Sequence, residues 1–156
     1  MPHAATDTRR SIVVFRLGSD RHAVSLEIVE RAVRAAEVTA VSDAPEPVLG
    51  LLDVAGTVLP VLSLRRRLKQ PEPEIAIEAH FLIVRMGSRH AALAVDEVLA
   101  VDSLDGSIEP GDIIPGLEQY GGIVRRPDGL VFIHDLERFF SPDEWHRVDG
   151  LMAAPS

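Results

Sequence analysis

One pattern occurs twice in this chain, and it limits the folds open to the sequence more than any other feature. The first copy is Val48 to Leu68, VLGLLDVAGTVLPVLSLRRRL, and the second is Gly122 to Phe140, GIVRRPDGLVFIHDLERFF. Laid together without a gap, Gly50 meets Gly122, Val58 meets Leu130, Val61 meets Ile133, Leu64 meets Leu136 and Leu68 meets Phe140. Each copy is an apolar, β-branched run broken by a short turn, so it reads as strand, tight turn, strand, helix start. Gly56 supplies the backbone freedom of the first turn, and Pro60 places its strand at an edge or where no N–H is needed. A second pair supports the repeat. Phe15-Arg16-Leu17-Gly18 with its return His22 to Val29 matches Val84-Arg85-Met86-Gly87 with His90 to Glu97, one residue fewer being read in the later turn. The chain therefore reads as two halves of one design, about 11–70 and 80–140, each a hairpin, a loop and a second hairpin closing on a short helix.

Between these anchors, Ser11 to Leu17 reads as a strand and Arg21 to about Val29 as its return. ERAVRAAEVTAV, from Glu30 to Val41, is helical by propensity, but its counterpart EVLAVDSL from Glu97 is extended, so a bent strand is expected here. Residues 1–10 are polar and read as a flexible terminus. Ser42 to Pro47 is a loop shaped by two prolines, Lys69 to Ala79 is the seam between the halves, and Asp102 to Gln119 is a long irregular connection. Ser141-Pro142-Asp143-Glu144 is a capping box, so the last helix should start at Pro142 and carry Trp145 and Val148 inward, fraying after Leu151.

Composition excludes several classes of function. Cysteine is absent, which removes disulfides and thiolate catalysis. The formal net charge of −8 opposes nucleic acid as a main partner. No apolar run suggests a signal peptide or membrane span, and the expectation is a soluble, cytoplasmic protein without direct membrane insertion. The local exception in charge is Arg65-Arg66-Arg67-Leu68-Lys69, either a basic patch for an acidic partner or a solvated face of a short amphipathic helix. The six histidines show no metal-ligand spacing. His22 and His90 read as equivalent, near-surface hairpin positions. His134-Asp135 lacks a nucleophile turn, and Gly121-Gly122 lacks the phosphate-loop lysine. No enzyme activity, cofactor or metal is expected.

The order of these pieces resembles the CheW family, the adaptor proteins of bacterial chemosensory arrays. The likeness runs from about Ser11 to Ser141. It is carried by Phe15-Arg16-Leu17-Gly18, by Gly50 to Arg65, by Val95-Asp96-Glu97-Val98, and by Asp128-Gly129-Leu130-Val131 with Asp135-Leu136. The resemblance implies a mainly β fold: two SH3-like five-stranded β-barrel subdomains packed together, with short helices and a C-terminal helix over 141–156. Residues 11–140 would form one domain. It also implies two partners, the regulatory domain of a chemotaxis-type histidine kinase and the helical cytoplasmic tip of a chemoreceptor. Carried over by position, the partner-binding residues would be Val29 and Val33, the turn Asp53, Val54, Ala55 and Gly56, and Val98 in the second half; Arg65 or Arg66 nearby would offset the arginine that the turn lacks.

Three departures stand out. The family turn, commonly N-L-R-G, has Ala55 at its arginine. Ser63 replaces the aspartate of the closing motif, which the second half keeps as Asp135. The family's V-x-E reads Val29-Glu30-Arg31, a charge reversal. They imply a divergent or accessory chemosensory system. The alternative is a stand-alone SH3-like binding module without a kinase.

Overall fold

The structure is a computed structural model, and it describes residues 11–71, 79–103, 107–108, 120–127 and 129–153. The N-terminal stretch and most of both expected long connections lie outside them. The strands are β1 (Ser11–Leu17), β2 (Asp20–Ser25), β3 (Val29–Arg34), β4 (Val48–Val54), β5 (Thr57–Leu62), β6 (His80–Met86), β7 (Arg89–Val95), β8 (Glu97–Ser103), β9 (Ser107–Ile108), β10 (Tyr120–Arg126) and β11 (Gly129–His134). Helix α1 (Leu64–Arg67) follows β5, and α2 (Pro142–Ala153) ends the described chain. The fold is mainly β, as the sequence implied.

The strands form two sheets, in the orders β8-β1-β2-β11-β10-β9 and β3-β6-β7-β5-β4. Each sheet takes strands from both halves of the sequence. The hairpin that opens one half is built into the barrel completed by the other half. The equivalence is strand for strand: β1 and β2 stand where β6 and β7 stand, and β8, β11 and β10 stand where β3, β5 and β4 stand. Pairing details repeat too. β2 pairs β11 in parallel, Ala23 with Ile133, as β7 pairs β5, Ala92 with Val61. Ile123 takes Ile108 across the closing edge as Leu51 takes Thr39.

Burial explains the exchange. Along β1, Ile12 and Val14 point into their own barrel, while Val13, Phe15 and Leu17 point to the other face. Along β6, Phe81 and Ile83 face inward while Leu82, Val84 and Met86 face the same shared layer. These strands are apolar on both faces, as strands covered on both sides must be. The shared layer joins Leu62, Leu64, Leu93, Leu136, Phe139 and Phe140 with Trp145 and Val148 of α2. It lies between the barrels, with a smaller cluster inside each.

Several local expectations change. The return strand ends at Ser25, and Leu26–Ile28 forms a 3-10 turn capped by the Ser25 hydroxyl before β3 begins. Both hairpin turns are two-residue Gly-Ser loops, since Leu17 pairs with Asp20 and Met86 with Arg89. No residue is missing from the later turn. The counterpart of His22, opposite Phe15, is therefore Ala91, opposite Val84, and not His90. Helix α2 does begin at Pro142, with the Ser141 hydroxyl accepting from Glu144 N and the Glu144 carboxylate from Ser141 N. It runs past Leu151 to Ala153.

β5 is not an edge strand, so Pro60 depends on the second of its two permitted settings. Leu51 exchanges its N–H and C=O with Thr39, away from β5. Leu51 and Pro60 are therefore a non-hydrogen-bonded pair, and the proline nitrogen points away from β4. On that side the ladder to β7 begins only at Val61, so no N–H is missed.

The same Thr39 contact fixes Gly50. Its φ is +156°, and a Cβ there would overlap the Thr39 carbonyl oxygen and stand 2.8 Å from Val38 Cγ1. Replacing Gly50 with alanine should destabilise the fold by about 2 kcal/mol or more, because backbone must move. Urea unfolding of Gly50→Ala beside Gly56→Ala, whose Cβ meets open space, checks this. An equal loss in both would remove the close-approach argument.

Candidate functional site

Three pieces of sequence far apart in the chain meet at one carboxylate. Asp96 sits between β7 and β8, and its Oδ2 accepts from Gly18 N at 2.7 Å and from Arg65 Nη2 at 2.8 Å. Arg65 Nη1 reaches Oδ1 at 3.3 Å, which completes a two-pronged contact. Arg16 stands 3.5 Å from Asp96 and donates to Glu97 at 3.3 Å and to Gly18 O at 3.1 Å. Burial alone raises the Asp96 pKa, but the Arg65 hydrogen bonds, the Gly18 N–H and the charges of Arg65 and Arg16 outweigh it and hold the carboxyl below its usual range. The clamp ties the β1–β2 turn of one barrel to α1 and the β7–β8 corner. By register the counterparts of Asp96, Arg65, Gly18 and Arg16 would be Glu27, Glu137, Gly87 and Arg85; an acid stands in the place of Arg65, so the two-pronged contact exists on one side of the pseudo-twofold only.

Two more cations of the basic cluster are also engaged. Arg66 Nη1 donates to Glu46 O at 3.1 Å and Val48 O at 3.3 Å, and Arg67 stands 3.5 Å from Glu144 of α2. The cations of α1 thus hold one short helix to three neighbours, which neither a free patch nor a purely solvated face would do. Ser63 accepts from Arg66 N at 3.2 Å and caps α1; Asp135 accepts from Glu137 N at 3.1 Å and caps the 3-10 turn Leu136–Arg138. The serine-for-aspartate departure therefore keeps the capping chemistry.

The expected partner-binding residues fall into three places. Val29 and Val98 are half-buried, rest on the shared layer and occupy matching positions, opposite Val84 and Phe15. Val33 packs against the core of the second barrel from the edge strand β3. Asp53, Val54, Ala55 and Gly56 form the β4–β5 turn, where Val54 pairs with Thr57, Ala55 has φ 51° and Gly56 has φ 92°. Two positive φ values in a two-residue loop are the primed turn that a twisted hairpin favours. The Asp53 carboxylate accepts from Gly56 N at 2.8 Å. Asp53, Ala55 and Gly56 are exposed, so the turn projects as a preformed tip. Arg65 is separate from it, spent on Asp96. The sequence reading missed Asp96; its only signal was its place in the Val95-Asp96-Glu97-Val98 motif.

His22 also differs from expectation. It is 2 % exposed, and its Nδ1 lies 2.8 Å from Nε2 of His134, also buried. Phe15 stacks on it at 6.1 Å between ring centroids. The parallel β2–β11 pairing creates this environment, which no hairpin position by itself does. Burial lowers the pKa of both rings, that of His134 to about 3, with the neighbouring imidazole adding to the effect. His90, by contrast, is exposed, and its Nε2 lies 3.4 Å from Glu30. Asp135 turns to its cap and to Arg138 at 3.7 Å, so His134-Asp135 is not arranged as a dyad. Among the described residues no group of three or more His, Asp or Glu side chains could hold a metal ion.

Comparison with known proteins agrees with this fold. The family model described as CheW-like domain matches residues 11–144. The chemotaxis protein CheW of Treponema pallidum is 24 % identical over 160 residues, covering 97 % of this chain and 94 % of its own length. That of Rhizobium meliloti is 25 % identical over 143 residues, covering 89 % and 92 %. The crystal structure of the scaffolding protein TtCheW from Thermoanaerobacter tengcongensis superposes with a TM-score of 0.77 at 22 % identity, covering 92 % of this chain and 96 % of that one. No helix among the described residues is long and apolar enough to cross a membrane.

The site yields two predictions. Unfolded imidazoles take up protons below about pH 6.5, whereas in the folded protein His134 does so only near pH 3. Protonation therefore favours the unfolded chain between those values, and stability rises with pH until it levels above about 6.5. His134 contributes up to about 1.4 kcal/mol per pH unit in that window, and the lowered His22 adds in the same direction. Urea unfolding at pH 7.5 and 5.5 should differ by roughly 1–3 kcal/mol, and equal stabilities would mean that the pair is charged in the fold. Separately, Arg65→Gln and Asp96→Asn should each destabilise, with a double-mutant coupling of about 1 kcal/mol. Additive losses would show that the clamp is not an interaction.

Proposed function

The chain belongs to the CheW-like domain family, and from that premise we propose that it is a non-enzymatic adaptor, coupling chemoreceptors to a chemotaxis-type histidine kinase in bacterial signalling. One observation carries the reading: the family match spans residues 11–144, both barrels and the start of α2 together. Residues 11–140 act as one unit, since the shared apolar layer draws on both barrels. The kinase's regulatory domain and the receptor's cytoplasmic tip are the two partners, and the site of action is the cytoplasm.

Short-stranded barrels suit this task. They present edges and preformed turns, and these take up partner elements through modest apolar contacts. Val29, Val33 and Val98 supply half-buried apolar spots, and the turn from Asp53 to Gly56 supplies a rigid tip. Arg65 acts through Asp96 by fixing the corner from which Val98 starts. The absence of catalysis is supported by how the titratable groups are spent. His134 is bonded to His22, and Asp96 and Asp135 bind cations and backbone N–H groups.

Gel filtration with light scattering, on the protein alone and mixed with the regulatory domain of the kinase from the same source, tests the coupling. A one-to-one complex at low micromolar concentration is expected. No complex at tens of micromolar would leave a binding module without a kinase.

A further inference from the structure

The cations of this chain are unevenly satisfied. Those of α1, together with Arg16, Arg89 and Arg147, bond to carboxylates or carbonyls of the chain itself. Arg31 and Arg34 on β3 do not, nor do Arg85 on β6 and Arg125 on β10: all four are exposed, and no hydrogen bond or ion pair joins any of them to another described residue. Of the four, Arg31 and Arg34 lie together on an edge strand. β3 is the edge of its sheet. Its half-buried Val29 and Val33 alternate with exposed Glu30, Arg31, Ala32 and Arg34, and Glu30 already has His90 beside it at 3.4 Å. Among the described residues the strand thus shows two uncompensated cations beside an apolar foothold, in a chain of formal net charge −8.

The pseudo-twofold supplies an internal control. β8 is the other edge strand, pairing with β1 as β3 pairs with β6. With Val98 set on Val29, the positions of Glu30, Arg31 and Ala32 hold Leu99, Ala100 and Val101, Val33 meets Asp102, which is held by Arg126, and Arg34 meets Ser103. Leu99 is 38 % and Val101 62 % exposed. The same place in the same fold forms without arginine, so folding does not account for Arg31 and Arg34.

We propose that the β3 edge selects an acidic partner helix: Val29 gives it an apolar foothold on the shared-layer face, while Arg31 and Arg34 pair with flanking carboxylates. This deepens the adaptor reading and rests on it, the helix being the receptor's cytoplasmic tip. Unpaired charges at the rim of a contact set the choice of partner and the rate of encounter more than bulk affinity, because a like charge opposite them is penalised. The acid excess of the remaining chain opposes a polyanion as extended as nucleic acid, whereas a single helix engages β3 locally.

The test titrates the full-length protein with helical-hairpin tip fragments of the chemoreceptors from its own source. Each fragment is made in native form and with its tip carboxylates replaced by amides, at low and at moderate salt. Arg31→Glu/Arg34→Glu should keep the wild-type unfolding curve, since both residues are exposed, yet bind native fragments at least tenfold more weakly at low salt. The amide fragments should bind wild type and variant alike. Equal binding of native fragments by wild type and variant, with the same salt dependence, would overturn acid selection and leave receptor binding standing. Failure of every fragment to bind the wild type would overturn both.

Discussion

The structure depends on strands that must be covered on both faces. β1 and β6 carry large apolar side chains at every position from Ile12 to Phe15 and from Phe81 to Val84. A hairpin of that kind cannot stand at the surface of a single small barrel, because one face would meet water. Placing each hairpin between its own barrel and the shared layer covers both faces. The exchange follows from it: the hairpin opening one half supplies the central strands of the barrel completed by the other half. The fold is thereby made cooperative, since neither barrel keeps its central strands if the halves part.

On this apolar frame the electrostatics is asymmetric. The Asp96 clamp joins the β1–β2 turn, α1 and the β7–β8 corner, and the matching corner has Glu137 where the clamp has Arg65. α2 adds to the imbalance. Its Trp145 and Val148 enter the shared layer, Arg89 lies 4.5 Å over the Trp145 ring, and Asp149 holds Arg89 at 2.9 Å. These contacts draw the C-terminal helix onto the barrel of β6 and β7, although it follows β11. The two barrels share a plan but differ in what fastens them.

That difference bears on function. An adaptor that joins unlike partners needs unlike surfaces, and a fold with an internal twofold would by default offer the same surface twice. Here the two edge strands diverge where they face solvent, with Glu30, Arg31 and Ala32 on β3 against Leu99, Ala100 and Val101 on β8, while Val29 and Val98 beneath them remain alike. The β4–β5 turn is stiffened by Asp53 and by two positive φ values, and presents a shape rather than the arginine usual for the family at Ala55. The proposed specificity of this member therefore rests on edge strands and turn shape.

Much of this was legible in the linear chain. The repeat, the strand hairpins, the capping box at Ser141 and the mainly β class follow from apolar periodicity and turn chemistry, which are local and survive without knowledge of neighbours. Of the bent strand expected from Glu30 to Val41, the part up to Arg34 was legible only through its counterpart at Glu97, because helix propensity pointed elsewhere and pairing with β6 overruled it; beyond Arg34 the chain leaves the sheet and pairs with it again only through the Thr39 bridge to Leu51. The candidate turn from Asp53 to Gly56 was visible as a turn. What Arg65 touches was not visible, since Asp96 lies far from it in sequence and only folding sets the distance between them. His22 shows the same limit: a histidine two residues after a turn reads as exposed, and the parallel neighbour β11 buries it against His134. Tertiary structure alone decided that the barrels trade hairpins, because the repeat permits each half to close on itself, and only the need to cover both faces of β1 and β6 selects the exchange.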